Sequence, residues 1–310
     1  NTSQSIENYL YGQAGNDVIV ADSFTNSNSG TPISINYVDG GKGYDHLTAK
    51  HDALSFNKIS DATNTMFGRS GADVMEAEIL ADSERETYAR NALDGGSGND
   101  DMAATITATG PELVDAENHL IGGHGNDILE ATISASLEDP NQGIISAHNL
   151  LEGGHGNDTL TATVTGGTVG YSQLYGGSGN DALTVIGGTG NVLEGGDGAD
   201  ILRGGVGQDS LLGGAGNDEL YGGMSDDLYV GGQGADVFVC DVALDQGVKT
   251  ITDFNRADDL LRFLSLTDSG VPGLVDDLDA ISTFADDGAD VTVTLDSGTE
   301  LVFEMVGTGM

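Results

Sequence analysis

The pattern Gly-Gly-x-Gly-x-Asp returns along the whole chain, and no other feature restricts its folding as tightly. Copies begin at positions 12, 40, 68, 95, 122, 153, 176, 195, 204, 213, 222 and 231, with a weaker one at 187. From Gly195 onward the period is nine residues, as in Gly195-Gly-Asp-Gly-Ala-Asp200-Ile-Leu-Arg203 and Gly213-Gly-Ala-Gly-Asn-Asp218-Glu-Leu-Tyr221. The glycines permit positive φ and close backbone approach, which makes a turn, and the strand after it points its Leu inward. Two such units make one coil, so the chain is expected to wind as an all-β solenoid.

Before Gly176 the spacings are 28, 28, 27, 27, 31 and 23 residues, which reads as the same coil with one half enlarged. An Asn-x-apolar tetrad precedes nearly every copy: Asn8-Tyr-Leu, Asn36-Tyr-Val, Asn64-Thr-Met, Asn91-Ala-Leu, Asn118-His-Leu, Asn149-Leu-Leu and Asn191-Val-Leu. The tetrad copies the Asp-x-Leu-x ending of a nonapeptide with Asn in place of Asp. One edge should therefore carry stacked glycine-aspartate turns, and the other variable loops near 22–35, 50–63, 81–90, 109–117, 136–148 and 166–171, with regular turns only at Gly204 and Gly222. In solenoids such insertions often form a binding face.

Alternation along Asp127-Ile-Leu-Glu-Ala-Thr-Ile-Ser-Ala135 sends Leu, Ala and Ile inward and Thr, Ser and Glu outward. Thr105, Thr107, Thr132, Ser134, Thr163 and Thr165 would then form a flat outward hydroxyl array. Beyond Asp236 the repeat gives way to strand-like runs, ending in a hairpin from Asp290-Val-Thr-Val-Thr-Leu295 to Leu301-Val-Phe303. A solenoid needs its last sheet edge covered, and this tail is the expected cap. The expected division is 1–185, the long-period solenoid with loops on one edge; 186–239, the regular nonapeptide roll; and 240–310, a capping and secretion region.

Aromatic residues make up 5% of the chain and Trp is absent, so a thick aromatic core is not expected. Asp and Glu number 50 against 10 Lys and Arg, giving a formal net charge of −40. That balance excludes nucleic acid and anionic membrane surfaces as partners and calls for a cation. Carboxylates are hard oxygen ligands, for which Ca²⁺ at extracellular levels is the best match. Cys240 stands alone, so no disulfide framework is possible, and it is expected to pack in the core. No stretch approaches the roughly 18 apolar residues of a membrane helix, and no basic segment followed by an apolar run opens the chain. Export would then rest on a removed signal or on a route that needs none.

At Gly-Gly-x-Gly-Asn-Asp-x-Leu-x the chain resembles the repeats-in-toxin (RTX) calcium-binding family, most strongly over 93–255. Gly234-Ala-Asp-Val-Phe-Val239 followed by Ile251-Thr-Asp-Phe254 resembles the segment that closes RTX arrays before a C-terminal type I secretion signal. The resemblance implies a right-handed parallel β-roll with a β-rich C-terminal cap, each Ca²⁺ lying between two turns stacked on one edge. It implies as ligands Asp17, Asp45, Asp73, Asp100, Asp127, Asp158, Asp181, Asp200, Asp218 and Asp236 on one edge and Asp209 and Asp227 on the other. Backbone carbonyls would join them, from Gly95 and Ser97, Gly122 and His124, Gly153 and His155, Gly176 and Ser178, Gly195 and Asp197, Gly204 and Val206, Gly213 and Ala215, and Gly231 and Gln233. Roughly ten divalent ions would offset about half the formal charge. Gln13, Arg69 and Ser225 stand where the pattern has Gly, and the copy at Gly187 lacks the Asp; these sites are expected to be weak or empty.

No His-Glu-x-x-His, Gly-x-Ser-x-Gly or phosphate-loop motif is present, so no catalysis is expected from this chain. Among the six His, His124 and His155 share one turn position on successive coils and are expected as solvent-facing turn residues. The expected role is a secreted or cell-surface calcium-binding protein, an adhesin, surface-layer or fibre subunit, with itself or a surface polysaccharide as partner. The alternatives are the export module of a larger secreted protease, lipase or polysaccharide epimerase or lyase and, from the hydroxyl array, an ice-binding protein.

Overall fold

The structure, a computed structural model, describes residues 5–27, 33–55, 60–137, 144–166, 170–241, 247–255, 257–264, 281–286, 290–295 and 300–304. Two compact units divide the chain, Asn1–Leu174 and Tyr175–Met310. The described residues form mainly parallel strands stacked as a β-solenoid and include no helix, hence none able to cross a membrane.

In the first unit the strands are β1 (Ser5–Tyr11), β2 (Val18–Ser27), β3 (Ile33–Lys42), β4 (His46–Ser55), β5 (Ser60–Ser70), β6 (Val74–Ser83), β7 (Glu86–Ser97), β8 (Asp101–Gly110), β9 (Leu113–His124), β10 (Ile128–Leu137), β11 (Ile144–His155) and β12 (Thr159–Thr165), with β13 (Gly170–Ser178) crossing the division. Odd strands line up in chain order in one parallel sheet and even strands in another. Each odd–even pair is one coil, and like residues stack from coil to coil. Leu47, Met75, Met102, Leu129 and Leu160 form one such column, and Ala49, Ala77, Ala104, Ala131 and Ala162 the next. All of these are buried, which places a thin aliphatic core between the sheets. Alternation holds as expected: Thr105, Thr132 and Thr163 are in register with one another, as are Thr107, Ser134 and Thr165, and their neighbours Ile106, Ile133 and Val164 are buried.

The segments expected as loops are largely strand. β6 runs to Ser83 and β7 starts at Glu86, while β8 runs to Gly110 and β9 starts at Leu113, so segments 81–90 and 109–117 contain connections of only two residues. The added length of the long period widens both sheets instead of bulging from one edge. Ala81, Ala89, Ala108 and Ala116 continue the buried alternation there, packed with Ile79, Ile106, Val114 and Ile133 in a second apolar cluster. Of the other expected loops, 28–32, 56–59, 138–143 and 167–169 lie outside the described residues, and the flanking parts are again mostly strand.

In the second unit β14 (Ala182–Gly187), β16 (Ile201–Arg203), β18 (Glu219–Tyr221), β20 (Val237–Asp241) and β22 (Leu260–Leu264) form one parallel sheet. The other contains β15 (Val192–Asp197), β17 (Ser210–Ala215), β19 (Asp227–Gln233) and β21 (Val248–Ile251). Leu193, Leu202, Leu211 and Leu220 are fully buried, the inward Leu of each nonapeptide, and the aromatics Tyr229 and Phe238 are buried with Cys240. Near the C-terminus β23 (Ile281–Asp286), β24 (Asp290–Leu295) and β25 (Glu300–Glu304) pair antiparallel, and β25 adds parallel to β21. The hairpin expected there is present as the pairing of β24 with β25; residues 296–299 between them lie outside the described residues.

Candidate metal centres

Each turn is held to the next by its own backbone. The fourth-position amide donates to the third-position carbonyl of the following turn, as from Gly71 to Ser97 at 2.8 Å, Gly98 to His124 at 2.7 Å and Gly216 to Gln233 at 2.7 Å. Such stacking crowds most second and fourth positions. At Gly43, with φ of +133°, an added Cβ would overlap the carbonyl of Gly15. Gln13, Arg69 and Ser225 are the only non-glycine residues with positive φ among the described residues, at 80°, 76° and 84°, so the three departures from the motif keep the glycine backbone at a steric cost. Arg69 offsets part of it by pairing with Asp39 at 3.0 Å and lying over the Phe67 ring.

The sixth-position aspartates form columns. In the first unit the amide of Asp17 donates to Oδ1 of Asp45, and the bond repeats from Asp45 to Asp73, Asp73 to Asp100, Asp100 to Asp127 and Asp127 to Asp158, all at 2.7–2.8 Å. In the second unit it runs from Asp181 to Asp200, Asp218 and Asp236 at 2.7–3.0 Å. A further column there holds Asn191, Asp209 and Asp227. Oδ1 is thus committed to the fold. Oδ2 of Asp45, Asp73, Asp100, Asp127, Asp200, Asp209 and Asp218 is buried without a protein hydrogen-bond partner, which is costly unless something else satisfies it.

Glycine at the first position makes room for that oxygen. A Cβ on Gly68 would lie 2.5 Å from Oδ2 of Asp73 and 2.8 Å from the carbonyl oxygen of Gly95; on Gly122, 2.5 Å from Asp127 Oδ2 and 2.7 Å from the Gly153 oxygen; on Gly204, 2.6 Å from Asp209 Oδ2 and 2.8 Å from the Gly222 oxygen. First-position carbonyls therefore point back to the preceding turn, where they meet its carboxylate. Second- and fourth-position carbonyls point forward, those of Gly96 and Gly98 toward Gly123 and Gly125. Carboxylate and carbonyl oxygens thus converge between stacked turns.

Burial pushes these carboxyls up from the usual carboxylate range: Asp100, Asp209 and Asp218 to about 7, Asp127 and Asp227 to about 6, with Asp73, Asp158, Asp200 and Asp236 also raised. Loss of hydration is the largest cause at every one of them, and neighbouring aspartates add repulsion at Asp100 and Asp218. Buried carboxylates with unmet oxygens beside convergent carbonyls fit a hard divalent cation such as Ca²⁺. No group of three or more His, Cys, Asp or Glu side chains comes together among the described residues, so a cation would take most of its ligands from the backbone.

In the first unit the Asn tetrads form a matching interior column. Nδ2 of Asn8, Asn36, Asn64, Asn91 and Asn118 each donates to Oδ1 of the next Asn, ending at Asn149, at 2.8–3.0 Å. The same Nδ2 groups reach backbone carbonyls of the opposite sheet, those of Asn91, Asn118 and Asn149 meeting Thr105, Thr132 and Thr163 at 3.1–3.2 Å. An amide carries both donor and acceptor, so this column closes without a cation. The copy at Gly187 follows the same rule: Asn191 stands where Asp is missing and donates to Oδ1 of Asp209 at 2.7 Å.

His124 and His155 stack with centroids 4.7 Å apart, and both are exposed, the last residues of β9 and β11 where the turns begin. Three residues were missed. Asp259 continues the column beyond Asp236, accepting its amide at 3.0 Å, and its own ending Asp259-Leu-Leu261 matches the Asp-x-Leu signal. Asp253 receives the amides of Gly231 and Gly232 at 2.9 and 2.7 Å. Lys249 is fully buried against Asp227.

The family profile of the RTX calcium-binding nonapeptide repeat matches this chain in four copies, over residues 7–27, 146–163, 185–220 and 205–238. No curated protein matches the chain.

Proposed function

Because this chain carries RTX calcium-binding nonapeptide repeats on a β-solenoid, we propose that it is an extracellular protein that stays unfolded where calcium is scarce and folds once exported. The observation that carries this reading is the set of buried Asp Oδ2 atoms without protein partners, facing the carbonyls of the next turn. Like charges stacked on successive coils repel, and a formal net charge of −40 adds to that repulsion. Bound calcium would supply positive charge between adjacent turns. The chain's own part is to present buried Oδ2 of Asp45, Asp73, Asp100, Asp127, Asp200 and Asp218, with first-position carbonyls such as those of Gly95, Gly153 and Gly213, between the stacked turns. Each ion that binds only the folded chain stabilises it by about 2–3 kcal/mol at a hundredfold excess over its dissociation constant.

The role proposed is non-catalytic: a cell-surface or matrix subunit whose wide, calcium-ordered sheets meet other copies of the chain or a surface polysaccharide. RTX repeat proteins are typically secreted, which supports the location. Light scattering during a calcium titration tests the assembly, with magnesium as control. Growth of particles with Ca²⁺ alone is expected; a monomer at every calcium concentration refutes self-assembly.

A second reading draws on the registered outward columns Thr105–Thr132–Thr163 and Thr107–Ser134–Thr165. A regular outward hydroxyl grid of this kind suits an ice surface. Thermal hysteresis of the calcium-loaded protein decides it, and a freezing point equal to the melting point eliminates it.

A further inference from the structure

The second-edge column of the second unit runs Asn191, Asp209, Asp227 and then Lys249, since β15 is in register with β17, β17 with β19, and β19 with β21, where Asp227 lies opposite Lys249. A lysine thus stands where the column's rule would place another acid. Its side chain is fully buried, and Nζ donates to Asp227 Oδ2 at 2.6 Å, to the carbonyl of Ser225 at 2.6 Å and to the carbonyl of Gly223. Gly223 and Ser225 are the second and fourth positions of their turn, the two whose carbonyls point forward elsewhere in the solenoid. The ammonium therefore holds a carboxylate oxygen and two turn carbonyls, the class of ligands that surrounds the space between other stacked turns. Asp209, one coil earlier in the same column, has no such lysine, and its Oδ2 is without a partner.

We infer that Lys249 is a tethered cation: its ammonium takes the position a calcium ion would otherwise hold at the Gly222 turn, so this turn binds no calcium and the ladder ends there. The inference rests on the calcium reading above. It accounts for Ser225 at a position that needs positive φ, because a turn clamped by a covalently attached charge has the lysine contacts to hold its backbone. In the folded chain it also ties β21 to β19 without a free ion, which closes the second-edge column.

Calcium stoichiometry measured by equilibrium dialysis on the full chain and on Lys249→Met tests this. The variant is expected to bind one more ion per chain than the parent. An unchanged stoichiometry in a parent that does bind calcium overturns the tethered cation alone; a parent that binds none overturns the calcium reading and the inference with it. Should the variant fail to fold, acylation of the unmutated chain at saturating calcium gives the answer: Lys249 is expected to stay unreactive while the exposed Lys42 and Lys50 are modified. A Lys249 that reacts once calcium is bound has been displaced by the ion, and the inference is wrong.

Discussion

Asp100→Asn separates the two opposing roles of a turn aspartate. The replacement keeps an oxygen to accept the Asp73 amide, now at 2.8 Å, and removes the charge whose burial raises this carboxyl to about 7. Raising the carboxyl from 3.8 to about 7 corresponds to ~4 kcal/mol at full burial, and water close to the turn edge screens this to ~2 kcal/mol. The sign follows from the direction of the shift. A carboxyl raised in the fold contributes stability below its unfolded value near 3.8, and that contribution is lost as pH rises through about 7. In EGTA at pH 7.5 the variant should therefore be more stable than the parent by ~2 kcal/mol, and near pH 4 the two should agree. Calcium reverses the order, because the variant has lost a charged ligand. The assay is the midpoint of urea unfolding by circular dichroism, or of osmolyte-driven folding where the parent starts unfolded. A variant less stable than its parent in EGTA at pH 7.5, or equally stabilised at both pH values, refutes the reasoning.

Ser225→Gly should raise stability by about 1 kcal/mol, since a side chain at φ of 84° is strained, and thermal unfolding reads the gain. Asn91→Ala should cost about 3 kcal/mol, because it deletes the bonds to Asn118 and Thr105 and the one received from Asn64, all buried in the column; urea unfolding at saturating calcium checks it. The calcium concentration for half-folding, read by circular dichroism, should fall as pH falls from 8 to 6, since carboxyls raised to about 6–7 at Asp100, Asp127 and Asp218 take up protons in the fold and relieve the repulsion that the ion otherwise offsets.

The Asp columns were legible because the motif fixes both the acid and the glycines that make room for it. The Asn tetrads were legible for the same reason, although their closure into a self-satisfied amide column across the core shows only in three dimensions. The half-coils read as loops were not legible, because the residues continuing the alternation are Ala81, Ala89, Ala108 and Ala116, whose weak hydrophobicity hides the period between polar neighbours. Lys249 was invisible from spacing: it follows Asp227 by 22 residues, where the nonapeptide period has already broken, and only the register of β19 with β21 sets it in the column.

Far-UV circular dichroism of the EGTA-treated chain during a calcium titration tests the central claim most directly, because buried aspartate columns without a cation oppose the fold. A cooperative gain of β signal with Ca²⁺, absent with Mg²⁺, is the predicted result. A chain fully folded in EGTA at neutral pH and unmoved by calcium would contradict it.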